Sequence, residues 1–391
     1  MTGDRFRPTP LEIATGRLLG AVEAPTLPEP ERGATPLDAL RAAIRPALLR
    51  PPCFVTFSGG RDSSAVLATA ADVARREGLA PPIPVTVRFR DTPGAGEPQW
   101  QELVVRHLGL SEWLVLDVED ELDVVGPVAT AVLRRHGVRY PAHTCLWAHL
   151  LEQAAGGSLL TGIGGDHVFS APLASIREAL AGRRRPRPRD FRPAAFAASP
   201  RPLRRWVLRR RAYRLPWLRP AAQQAFAAAW TEGVVGTPAT YGAHLTGVIR
   251  SRTMLGLLET LELVAADAGA TVEHPLVDPG FRAALARAGG VLGFGGRTAA
   301  MRAVFGADLL PDALLSRPRK AMFDLAYLRR PMREAARSVD GAGLDPELVD
   351  LDRLRAEWLS PVPSFASALA LQATWLASAA GDLEQPVERL G

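Results

Sequence analysis

The 391-residue chain contains no asparagine and one lysine, Lys320, so 46 of its 47 basic residues are arginine. Codon usage in a GC-rich coding sequence would convert exposed lysines to arginine and leave this pattern. The survivor then marks a place where a compact ammonium does what a planar guanidinium cannot, with chance survival on the surface as the plain alternative. Cysteine is nearly as scarce. Cys53 and Cys145 are too few for a disulfide framework or a cysteine-built zinc site, read as core residues, and suit a reducing compartment. No apolar run reaches the roughly 18 residues that a membrane span needs, and residues 1–20 have no apolar signal core. A cytoplasmic protein with no membrane partner is the expectation.

Positive charge is not scarce, but it is concentrated. Residues 183–219 hold fourteen arginines against Asp190 alone, a balance of +13 that leaves −7 of the chain's +6 for everything else. That distribution disfavours a protein-wide nucleic-acid groove and leaves a local basic arm. Proline breaks its first half, and a helix is expected over residues 206–213. The arm is either a solvated charged surface or, with Trp206, Tyr213 and Trp217 among its arginines, a dock for a precursor peptide or a partner protein.

Residues 1–45 read as a proline-rich lead-in with a helix beginning near Pro36, residues 46–182 as an α/β nucleotide-binding core, residues 183–220 as the arm, and residues 221–391 as a mostly helical part. In the core, short β-rich runs at 53–57, 83–89 and 113–118 alternate with helical stretches, which predicts a doubly wound parallel sheet. Further helices are expected over 122–136 and 143–155, then a short strand from Ser158, and amphipathic helices over 244–268 and 364–379.

The strongest local signal is Ser58-Gly59-Gly60-Arg61-Asp62-Ser63-Ser64, placed directly after one strand and before a helix. Glycines there let the backbone approach phosphate oxygens. Their N–H groups join the helix N-terminus as an anion cradle, with the hydroxyls of Ser58, Ser63 and Ser64 as further donors. A turn that merely closes the strand, with Ser63 as a helix cap, is the structural alternative. A second glycine-rich loop, Thr161-Gly162-Ile163-Gly164-Gly165-Asp166, ends the strand about a hundred residues on. Late in the chain comes Arg317-Pro318-Arg319-Lys320-Ala321-Met322-Phe323.

The first string resembles the PP-loop of the ATP pyrophosphatases, which cleave ATP between its α- and β-phosphates. The second is similar to the glycine-rich loop of the asparagine synthetase synthetase domain and its relatives, the β-lactam synthetases and lasso-peptide cyclases. The likeness runs in outline over residues 50–380. It implies an AMP-forming carboxylate–amine ligase with ATP and Mg²⁺ as cofactors and a peptide or small amino acid as substrate. ATP would lie against Ser58, Gly59, Gly60, Asp62, Ser63, Ser64, Gly162, Gly164 and Asp166, with Mg²⁺ held by Asp62 and Asp166. The late stretch resembles the family's Arg-x-x-Lys, in which the lysine, here Lys320, touches the adenylate phosphate and the oxyanion. Residues 273–278 are similar to a structural turn of the family. Glu259 falls near a glutamate that orients a catalytic base in β-lactam synthetases, and reads equally as an exposed acid one turn from Glu262.

Two departures bear on substrate. Ile163 stands where asparagine synthetases carry Glu and β-lactam-forming relatives Tyr, which counts against ammonia-dependent asparagine synthesis. Any general base must then come from elsewhere, with His167, His143 and Glu259 as candidates. Residue 2 is Thr rather than the cysteine of a glutaminase, and residues 1–50 are too few for that domain. The expected nitrogen source is therefore an amine of the substrate, a free amine, or a partner. An amine within the substrate gives macrolactam closure, and residues 215–220 resemble stretches of lasso-peptide cyclases. A tRNA-modifying PP-loop enzyme and a non-catalytic nucleotide-binding protein are the other classes. The second glycine-rich loop argues against the first, and Asp62, Asp166 and Lys320 together argue against the second.

Overall fold

A computed structural model describes residues 5–23, 25–90, 92, 96–181, 185, 187–236, 239–317 and 323–384. Five strands, β1 (Cys53–Thr56), β2 (Ile83–Phe89), β3 (Leu114–Val118), β4 (Ser158–Leu160) and β5 (Thr271–Glu273), form one all-parallel sheet in the order β3-β2-β1-β4-β5. The alternating side chains of these strands need cover on both faces. Val55, Phe57 and Leu160 pack on one side with residues of the Pro36–Leu48, Arg61–Glu77 and Pro98–Leu108 helices. Phe54, Val85 and Leu159 pack on the other with residues of the Thr144–Gln153 and Arg252–Ala268 helices. The sheet is doubly wound, as the alternation of strand and helix predicts.

The chain leaves β1 toward β2 and β3, then returns to place β4 on β1's other side. The sheet's order therefore reverses between β1 and β4, and the loops leaving their C-terminal ends diverge into a crevice. Those loops are residues 57–60 and 161–164, the two glycine-rich strings. A further apolar cluster joins Ala14, Trp217, Met332, Trp358 and Leu369. It draws the N-terminal segment and the last described helices together.

Several elements differ from expectation, each for a local reason. The fifth strand went unpredicted; it is three residues long, and its pairing with β4 rather than its own pattern makes it a strand. The helix expected from residue 122 begins only at Pro127. Before it, the Asp123 carboxylate accepts the Val125 and Arg329 N–H groups at 2.9 and 2.6 Å, and Val124 N–H donates to the Tyr327 carbonyl. The backbone there is committed to tertiary bonds. The helix expected over 244–268 is two, Tyr241–Gly247 and Arg252–Ala268, separated by a 3₁₀ turn where Val22 N–H donates to the Arg250 carbonyl. The 364–379 stretch similarly opens as a 3₁₀ turn before the Ala368–Glu384 helix.

The arm is not uniformly solvated. Proline does not break its first half as expected: a 3₁₀ turn at Pro188–Phe191 leads into a helix at Arg192–Ala198, and the predicted helix spans Arg201–Arg211, earlier than expected, because Pro193 and Pro202 each fit a helical first turn. Beyond it Leu215, Trp217 and Leu218 are buried, and the Trp217 indole donates to the Ala14 carbonyl at 2.8 Å. Those three residues anchor the arm. The exposed part carries Leu203 and Trp206, with Arg210 stacked over the Trp206 ring at 4.1 Å.

Candidate active site

A cleft of about 450 Å³ opens at the C-terminal ends of β1 and β4. Its floor is the loop that carries Ser58, Gly60, Asp62 and Ser63. Gly59 has φ +77, and a Cβ on it would meet the Gln101 Cγ at 2.8 Å, so only glycine makes this turn against the Pro98–Leu108 helix. Two of the loop's carbonyls are tied down by side chains. Gln101 Nε2 donates to the Ser58 carbonyl at 3.2 Å, and Arg317 Nη1 donates to that of Gly59 at 2.8 Å. Ser63 Oγ lies 3.3 Å from Ser58 Oγ and donates to the Gly60 carbonyl at 3.1 Å. Gly60 caps the Arg61–Glu77 helix, whose positive N-terminal end thereby faces the cleft. Two of the predicted contacts are exceptions: Gly59 is buried and does not line the cleft, and neither does Ser64. Ser64 is fully buried in that helix, because helical geometry turns it from the loop.

Arg317 and Glu97 form the ion pair that fixes this floor, at 2.5 Å and with both residues buried. Replacing Arg317 with Leu removes Glu97's guanidinium partner and the donor to Gly59 at once. We expect a stability loss of about 3 kcal/mol or more, measured by urea unfolding. Lysine should not rescue it, since one ammonium cannot serve both acceptors in that geometry.

The second loop closes on the first through its glycines. A Cβ on Gly162 would meet the Ser63 backbone nitrogen at 2.9 Å, one on Gly164, where φ is +94, would meet Val277 Cγ1, and one on Gly165 would meet the Asp62 carboxyl carbon at 2.2 Å. The turn at Pro275–Val277 thus buttresses this loop, helped by the 2.7 Å contact between Thr161 Oγ1 and His274 Nδ1. Burial lowers the His274 pKa to about 4, so its ring is neutral there.

This closure brings Asp62 and Asp166 to one point, and Arg297 occupies it. Its Nη2 donates to Asp62 Oδ2 at 2.5 Å and its Nη1 to Asp166 Oδ1. Burial works against the Arg297 charge, but the two carboxylates more than offset it and its pKa is raised. Nothing in the expected motifs marks Arg297. The available signal is Gly293-Phe294-Gly295-Gly296 directly before a helix, the same pattern of glycines and helix start as at Ser58. A pair of carboxylates from two loops, already balanced by a cation, fits Mg²⁺, which takes one or two carboxylates and completes its shell from phosphates and water.

The remaining predicted residues divide. His167 is exposed and lines the cleft beside Asp166; partial burial and the neighbouring His244 lower its pKa. Ile163 lines the cleft as well. Glu259 does not: its Oε1 accepts the Phe6 N–H at 3.3 Å, because Met254 and Leu257 hold the cleft-facing side of that helix. His143 also lies outside the lining. Its ring stacks on Tyr327 at 5.2 Å, and burial lowers its pKa to about 4. Neither is placed to take a proton in the cleft. Lys320 lies outside the described residues, whereas Arg317 and Phe323, three residues to either side in sequence, both line the cleft.

The far wall is apolar, built from Val87, Phe89, Leu146, Trp147, Leu150 and Tyr327. The charged side chains among the described lining residues, Arg61, Asp62, Asp166, Arg297 and Arg317, all gather at the loop end. Comparison with curated proteins finds no match. A family model described as asparagine synthase matches residues 37–375.

Proposed function

The chain belongs to the asparagine synthase family, and is by kind an ATP-dependent amide-forming ligase; from that premise we propose that its substrate is a peptide. In this reading the chain adenylates a peptide carboxylate, releases pyrophosphate, and joins the acyl group to an amine of the same peptide, a macrolactam closure of the lasso type. The observation that carries it is the apolar far wall. A free aspartate would bring an ammonium and a second carboxylate to a surface with no counter-charge among its described residues, an expensive desolvation. A peptide brings no charged groups there beyond the amine and carboxylate that react. Ile163 supports the same reading, since it offers no proton acceptor for ammonia.

The β- and γ-phosphates lie on the N–H groups of residues 60–63 and the hydroxyls of Ser58 and Ser63. Mg²⁺, when bound by Asp62 and Asp166, neutralises charge on the departing pyrophosphate. The peptide carboxylate attacks the α-phosphorus, and the apolar wall keeps water from the acyl-adenylate. His167, on the second loop with its pKa lowered by partial burial and by His244, accepts the proton of the attacking amine. Lys320 stabilises the tetrahedral oxyanion before AMP leaves. The test is product analysis with ATP, Mg²⁺ and either peptides or aspartate with ammonia. AMP and pyrophosphate released only with peptides support the reading, and asparagine formation at comparable rate overturns it.

The exposed Arg201–Arg211 helix is proposed as the dock for an acidic stretch of that peptide. Changing Arg209, Arg210 and Arg211 to Gln should weaken binding of a labelled precursor by about tenfold at low salt while leaving ATP binding intact. Unchanged binding would remove the arm from substrate recognition.

A further inference from the structure

We infer that Arg297 is the protein's own counterion for its divalent-cation site and that, when a triphosphate enters, the same guanidinium moves to the pyrophosphate oxygens. The inference rests on the ligase reading above and adds a residue that the family motifs do not assign. Three arginines line the cleft near the phosphate loop, and two of them are committed elsewhere. Arg61 donates to Thr298 Oγ1 and the Leu315 carbonyl at 3.2 and 3.4 Å, and Arg317 to Gly59 and Glu97. Both of Arg297's terminal nitrogens donate to Asp62 and Asp166, the groups a metal–triphosphate complex would claim. Its Nε is buried without a hydrogen-bond partner, so no acceptor behind the fork holds it in place. Magnesium held by both carboxylates would take the oxygens to which the guanidinium now donates. The two cations compete for the same oxygens, and a phosphate is the acceptor that a displaced, always-charged fork fits.

The position is also built for movement of the head and not of the base. Arg297 opens the helix that follows Gly293, Gly295 and Gly296, whose φ values of +73, +83 and +102 fix the direction from which the side chain enters the cleft. From that fixed base a long side chain reaches either the carboxylates or an anion lying between the loops. The exchange links metal loading to arrival of the triphosphate.

Binding of Mn²⁺ to the nucleotide-free protein, followed by its electron paramagnetic resonance signal, tests the first half; calorimetry with inorganic pyrophosphate tests the second. Arg297→Met should bind Mn²⁺ at least about tenfold more tightly than the wild type without nucleotide, and pyrophosphate at least about tenfold more weakly. If that variant fails to fold, Arg297→Lys decides, because an ammonium cannot bridge both carboxylates as the fork does and Mn²⁺ affinity should still rise. Unchanged Mn²⁺ affinity in the folded variants, or unchanged pyrophosphate affinity, overturns the inference. These readouts need no turnover. Variants that shift both affinities as expected, beside a wild type that forms no AMP with any peptide, would instead sink the peptide-ligase reading and leave Arg297's role standing.

Discussion

Asp166→Ala is expected to slow release of AMP and pyrophosphate by roughly two to three orders of magnitude while leaving the thermal midpoint almost unchanged. Asp166 is half exposed at the tip of the second loop, so its removal opens no core cavity. It also takes away one of the two charges that converge on Arg297, and with it half of the protein's hold on a cation. Asp62 is the more enclosed of the two, packed over Gly165, and its replacement mixes a packing change with the electrostatic one. Asp166 is therefore the cleaner probe. Asp166→Asn should be nearly as slow, because the amide keeps the shape and loses the charge. Quenched-flow measurement of pyrophosphate release at saturating ATP distinguishes this from a loss of ATP affinity. Wild-type rates in both variants would mean that the crevice between β1 and β4 is not where ATP is cleaved.

What the sequence reveals follows from where the chemistry is local. The strand, glycine turn and helix around Ser58 are contiguous, so backbone need and ligand need are visible in one string, and the parallel sheet follows from the alternating elements, whereas the strand order that sets the crevice does not. The short β5 is not visible, since three residues carry no period and only β4 makes them a strand. Sites assembled across the chain divide the same way. Asp62 and Asp166 each announce themselves by a glycine-rich neighbourhood, but Arg297, 131 residues beyond Asp166, is joined to them only by tertiary packing. Glu259 shows the converse error. An acid on an amphipathic helix has a plausible position in sequence, and a difference of two residues from Leu257 turns it from the cleft to the Phe6 backbone. Ser64 fails for the same reason: it belongs to the string, but the helix has already carried it into the core.

Gly165→Ala is expected to be almost as damaging as losing a carboxylate, with a rate roughly a hundredfold lower, and for a reason that local propensity would miss. Gly165 opens the short Gly165–Val168 helix, where alanine should by itself be favoured by up to about 1 kcal/mol. Its added methyl, however, would lie 2.2 Å from Asp62 Cγ and 2.4 Å from Oδ1. Carbon atoms in contact sit near 3.5–4.0 Å, so either the loops part or Asp62 swings away from the point it shares with Asp166. Both outcomes spoil the cation site, and neither exposes much apolar surface. The variant should thus fold, retain its thermal midpoint within a few degrees, and bind ATP in the presence of Mn²⁺ more weakly than the wild type. Gly164→Ala is the necessary comparison. It forces φ of +94 on a residue with a Cβ and drives that carbon into Val277, so its cost of about 1–3 kcal/mol should appear in stability first. A stable, inactive Gly165→Ala beside an unstable Gly164→Ala would assign the two glycines different duties: one lets the loops close on Asp62, the other lets the chain turn. Full activity in a folded Gly165→Ala would show that the approach of the loops is looser than catalysis requires.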